Sequence, residues 1–97
     1  MARIIWTREA ERWLKDIFDY ISADNPAAAA NVVDGIYKKA QILLHQPNIG
    51  YIYEHESEEI RILLYGHYRI TYRKENGDIV ILGVFHGALQ IEDYLKE

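Results

Sequence analysis

Residues 60–73 read Ile60-Arg61-Ile62-Leu63-Leu64-Tyr65-Gly66-His67-Tyr68-Arg69-Ile70-Thr71-Tyr72-Arg73, and residues 76–85 continue Asn76-Gly77-Asp78-Ile79-Val80-Ile81-Leu82-Gly83-Val84-Phe85. Ile60 to Tyr65 suits a strand, and Gly66-His67 is a two-residue turn of the hairpin kind. Tyr68 to Arg73 alternates aromatic or aliphatic with polar side chains, the period of a strand with one face covered. Asn76-Gly77 is a second hairpin turn signal. Ile79 to Phe85 is nearly all apolar, which places it centrally in a sheet.

Upstream the period is helical. Thr7 fits an N-cap, with Glu9 and Glu11 near the positive end of the helix dipole. Ala10, Trp13, Leu14, Ile17, Phe18 and Ile21 then form one apolar stripe. Asn25-Pro26 restarts the chain as cap and first helical residue. Ala29, Val32, Val33, Ile36, Ala40, Leu43 and Leu44 repeat the spacing until Gln46-Pro47 stops it. So short a break between the two segments predicts an antiparallel helical hairpin. Residues 3–6 are a short strand candidate, and Ala88 to Lys96 a terminal helix or ordered tail. The expected fold is α+β, a two-layer sandwich in the order β-α-α-β-β-β. An antiparallel sheet lies under the helical hairpin, with its other face at least partly open.

Composition sets the limits. Ninety-seven residues make one domain, 1–97, with 49% apolar and 27% charged residues. The absence of cysteine excludes disulfides, thiolate metal sites and a thiol nucleophile. The four histidines, at 45, 55, 67 and 86, include no close ligand pair, so no metal or cofactor is expected. No apolar run is long enough for a membrane span and no secretory leader is evident, which makes the cytoplasm the expected location. The net charge of −4 argues against a dedicated nucleic-acid binder. Glu54, Glu56, Glu58 and Glu59 form an acidic run beside a basic stretch holding Arg61, Arg69, Arg73 and Lys74.

Trp6, the Leu14/Ile17/Tyr20-Ile21 stripe, Asn25-Pro26-Ala27-Ala28, Pro47-x-x-Gly50, Ile60-Arg61-x-Leu63, Tyr68-Arg69-Ile70-x-Tyr72 and Val84-x-His86 occur in one order. From Arg3 to Leu95 the chain resembles the RelE/ParE superfamily of bacterial toxin–antitoxin toxins. The resemblance implies a first strand beside the last, and a cognate antitoxin as partner, held in a toxin–antitoxin hetero-oligomer. It implies either of two targets. ParE-like members bind DNA gyrase and trap it on DNA; RelE-like members cut mRNA on the ribosome.

For the nuclease alternative the resemblance assigns catalytic roles to Arg69, His86 and Tyr94, with Arg61 near a position often lysine in those relatives. A second nuclease pattern would use Glu54, Arg69 and His86. Leu63 and Ala88 replace further cationic groups, and each electrostatic donor of this kind is typically worth about 2.7–4 kcal/mol of barrier. The ParE-like His-x-x-Arg-Asp pattern appears as His86-Gly87-Ala88-Leu89-Gln90, keeping only the histidine. The negative net charge suits a protein target better than ribosomal RNA. A ParE-like toxin is therefore expected, with Arg61, Arg69, His86, Leu89 and Tyr94 as contacts to target or antitoxin. The alternatives are a ribosome-dependent mRNA endonuclease and a non-toxic antitoxin-binding relative. For Arg61 and Arg69, pairing with Glu58, Glu59 or Glu92 is the competing structural role. For His86 it is anchorage at a strand end.

Overall fold

Thr7 starts the first helix with a hydroxyl that works in two directions. Its Oγ1 accepts from the Ala10 N–H (3.1 Å) and donates to the Ile81 carbonyl (2.7 Å). The cap satisfies an otherwise orphan N–H and ties the helix to a strand more than seventy residues away. The computed structural model describes residues 2–55 and 58–86, with only the backbone of Glu54 and His55. Leu89, Gln90, Tyr94 and the rest of the segment from Gly87, together with Glu56 and Ser57 of the acidic run, lie outside the described residues.

The elements are β1 (Ile4–Trp6), α1 (Arg8–Ser22), α2 (Pro26–Gln41), a 3-10 turn (Ile42–Leu44), β2 (Tyr51–His55), β3 (Glu58–Tyr65), β4 (Tyr68–Glu75) and β5 (Asp78–His86). Asn25 caps α2 by accepting from the Ala28 N–H (3.1 Å), with Pro26 in the first turn, as expected. The α-helix ends at Gln41, before the expected stop. Its last turn tightens because the N–H groups of His45 and Gln46 both reach the Ile42 carbonyl.

The sheet order is β1-β5-β4-β3-β2. The three expected strands and both turns are present. Asn76 and Gly77 take φ of 52° and 84°, the left-handed geometry a tight hairpin of the right twist requires. The first strand lies beside the last, and that pair is parallel, which makes the sheet mixed. A further strand, β2, pairs with β3 and forms the far edge. It is additional to the strands of the expected β-α-α-β-β-β order.

One β-bulge decides which side chains face the helices. Thr71 pairs with Gly83 and Tyr72 with Ile81, so Leu82 is an extra residue on β5. Strand side chains alternate, so one inserted residue exchanges the faces. Ile79 and Ile81 before the bulge, and Val84 after it, therefore share the helix side and one buried cluster with Leu14, Ile36, Leu43, Ile70 and Tyr72. Small residues Ala10, Ala29 and Ala40 are fully buried and let the helices approach. Gly83 and Phe85 point to the other face, where the Phe85 ring lies over Gly83; a Cβ there would sit 2.8 Å from it.

Candidate functional site

The two candidate arginines, Arg61 and Arg69, stand on opposite faces of the sheet. The hairpin register pairs Tyr65 with Tyr68, Leu64 with Arg69 and Arg61 with Tyr72. Arg61 shares its face with Leu63 and Tyr65, which pack towards the helices, and Arg69 shares the far face with Leu64. The signal lies in the two-residue turn: pairing 65 with 68 fixes the parity of every residue behind it.

Arg61 is absorbed by the fold. Its side chain is 14% exposed, with Nε on Glu59 Oε2 (3.1 Å). Its Nη1 donates to the carbonyls of Asn48 (3.0 Å) and Gly50 (2.8 Å). Beside it the buried Tyr72 hydroxyl donates to the Pro47 carbonyl (2.8 Å) and accepts from the Gly50 N–H (3.0 Å). These cross-strand neighbours clamp the loop that delivers the chain into β2. Burial pushes the Tyr72 hydroxyl above its ordinary pKa, against a smaller lowering from the Gly50 N–H and Arg61.

On the far face Arg69, Thr71 and Arg73 run along β4. Arg73 is forked between Glu58 (3.1 Å) and Glu75 (3.2 Å), so part of the acidic run neutralises it. Arg69 is half-buried and makes no ion pair among the described residues. Thr71 is fully buried, and among the described residues its Oγ1 lacks a hydrogen-bond partner, as does Arg73 Nε. Ile62 and Phe85 are buried on the same face, with Tyr53 against them. Leu64 is 53% exposed. Among the described residues this face therefore offers one guanidinium outside any ion pair, with apolar side chains around it.

His86 ends β5 opposite Tyr68, on the helix side. Its exposed imidazole is edge-on to Tyr68 (5.6 Å between ring centres) and stacked towards His67 (6.1 Å). It also walls a cleft of about 430 Å³ between α1 and the β4–β5 pair. The structure brings His86 together with Tyr68 and Trp13, and does not bring it together with Arg69, which leaves the sheet on the other face. Leu89 and Tyr94 lie outside the described residues. Among the described residues no group of three His, Asp or Glu side chains is placed to hold a metal ion. No described helix is long and apolar enough to cross a membrane.

The arrangement has known counterparts. The family described as "ParE toxin of type II toxin-antitoxin system, parDE" matches residues 4–91. Among solved structures, the chromosomal ParDE toxin–antitoxin system from P. aeruginosa superposes with a TM-score of 0.75 at 26% identity, covering 89% of this chain and 96% of that one. The toxin–antitoxin complex RelBE2 from Mycobacterium tuberculosis gives a TM-score of 0.61 at 25% identity, covering 88% and 96%. No curated protein sequence is significantly similar. With the family match spanning every described strand and helix, the chain belongs to the ParE toxin family of type II toxin–antitoxin systems.

Proposed function

We propose that this toxin acts by binding DNA gyrase, and that a cognate antitoxin neutralises it in a hetero-oligomer. The observation that carries the gyrase target is the divergence of Arg69 and His86 on a ParE-family fold. A metal-independent ribonuclease must gather a general base, a general acid and cationic clamps around one phosphate. Here Arg69 leaves one face of the sheet, His86 the other, and Arg61 is engaged by the Pro47–Gly50 loop. A protein target requires only a complementary surface. Gyrase as target also implies a cytoplasmic site of action. The antitoxin partner is supported by the two structural neighbours, both toxin–antitoxin assemblies. Arg69 and His86, with Leu89 and Tyr94 of the C-terminal segment, are the contact residues in this reading.

The test is gyrase supercoiling with purified protein at micromolar concentration, with trapped cleavage complexes read on the same gels. Inhibition that weakens in Arg69→Glu at unchanged thermal stability is the expected result. Unimpaired supercoiling, accompanied by new mRNA 5′ ends on translating ribosomes, would replace gyrase with the nuclease alternative.

A further inference from the structure

Trp13, Asp16, Ile17 and Tyr20 stand at i, i+3, i+4 and i+7 on α1, along one stripe of the helix. Across from them, β4 and β5 present Tyr68, Val84 and His86, and the two sides enclose the cleft of about 430 Å³. Ile17 and Val84 supply aliphatic surface. Trp13, Tyr20 and Tyr68 supply three aromatic rings, and Tyr20 is 85% exposed, unusual for so large a ring. Burial, and to a lesser degree the nearby Tyr20 hydroxyl, push Tyr68 above the ordinary tyrosine pKa.

Among the described residues lining the cleft, Asp16 is the only acid. Lys15 beside it is taken by Asp19 (2.8 Å), and Asp16 makes no ion pair among the described residues. The cleft thus combines aromatic faces, which attract cations through their quadrupoles, with a carboxylate that forms no ion pair among the described residues. An anion would meet that carboxylate directly. A purely apolar occupant would desolvate it without return. A guanidinium satisfies both: its plane stacks on rings and its paired N–H groups match a carboxylate. The wall from Trp13 to Tyr20 runs about 10 Å along the helix, longer than an isolated guanidinium and suited to the chain on either side of one.

We propose that this cleft receives an arginine side chain presented by a partner polypeptide, with Asp16 as its counter-ion and Trp13, Tyr20 and Tyr68 as its aromatic walls. The site is independent of which target the toxin attacks.

The experiment is an NMR titration of the full chain with N-acetyl-arginine N-methylamide, its norleucine counterpart, and guanidinium chloride. The arginine probe is expected to saturate in the millimolar range and to shift the Trp13 indole N–H while leaving Trp6 in place. The norleucine probe should bind about fivefold or more weakly, and Asp16→Asn and Tyr20→Ala should each weaken the arginine probe by a similar factor. Both substitutions fall on exposed side chains, so the fold is retained, which thermal melting checks. Asp34→Asn, which removes the Lys38 partner on α2, should leave binding unchanged. Equal affinity for norleucine, absence of saturation by the arginine probe, or an unaltered Asp16→Asn titration overturns the proposal. Guanidinium alone binding as tightly as the arginine probe overturns its polypeptide source.

Discussion

Tyr72→Phe isolates the contribution of one hydroxyl to the delivery of β2. The ring stays, so the core loses no volume. Two hydrogen bonds go: the one donated to Pro47 and the one accepted from Gly50. The half-buried Pro47 carbonyl can turn to water, and losing its bond costs about 0.5–1.5 kcal/mol. The buried Gly50 N–H is left without an acceptor, at about 1–3 kcal/mol. Together the substitution should destabilise by about 1.5–4.5 kcal/mol, centred on about 3 kcal/mol, a fall in Tm of about 12–24 °C at that centre for a domain of this size. Urea unfolding followed by circular dichroism measures it, and amide exchange at Gly50 localises it. Alkaline pH supplies an internal control. Burial raises the folded pKa of Tyr72 above its unfolded value, so its stabilisation is fully present below that unfolded value. It fades as pH rises through and beyond about 10. The gap between wild type and variant should therefore shrink at high pH. A loss under about 0.5 kcal/mol at neutral pH, or a gap that widens in alkali, would refute the clamp.

Gly35→Ala should destabilise by about 1–3 kcal/mol in urea, because a Cβ there would overlap the Tyr65 hydroxyl and force that ring off β3's contact with α2. A neutral result would mean that Tyr65 swings aside freely. Asp78 is held below the ordinary carboxylate range, first by the Arg3 side chain and then by the Arg3 N–H. Its contribution is present above the unfolded carboxylate pKa of about 3.9 and lost as pH falls below it. Melting temperature should thus drop less steeply on acidification in Asp78→Asn than in wild type, and identical acid limbs would count against the Arg3–Asp78 tie.

Much of the architecture is legible in the order of the amino acids alone. Thr7, Asn25-Pro26 and Asn76-Gly77 are local devices whose chemistry names the element boundary, and each acts as its type dictates. Arg61 and Arg69 show where local reading stops. Alternation alone cannot say which face meets the helices, because that depends on both helical stripes and on the register of the hairpin. The Leu82 bulge is less legible still. It arises from pairing β5 to β4, and nothing in Ile81-Leu82-Gly83 itself announces an extra residue. β2 is obscured differently: Tyr51-Ile52-Tyr53 is short, and the acidic run after it reads as solvated loop. Its strand geometry comes from β3 and from the Tyr72–Arg61 clamp. The α1 wall of the cleft is plain in the spacing of Trp13, Asp16, Ile17 and Tyr20, but its other wall comes from β4 and β5, far along the chain.

The parallel pairing of β1 with β5 has a consequence for how the toxin is born. Arg3 and Thr7 find their partners only at residues 78–81, about 75 positions later. At translation rates of about 5–20 residues per second, the nascent N-terminal segment waits roughly 4–15 s for the strand that completes it. A polypeptide released before that point has no docking site for its opening strand, so premature termination yields no finished poison.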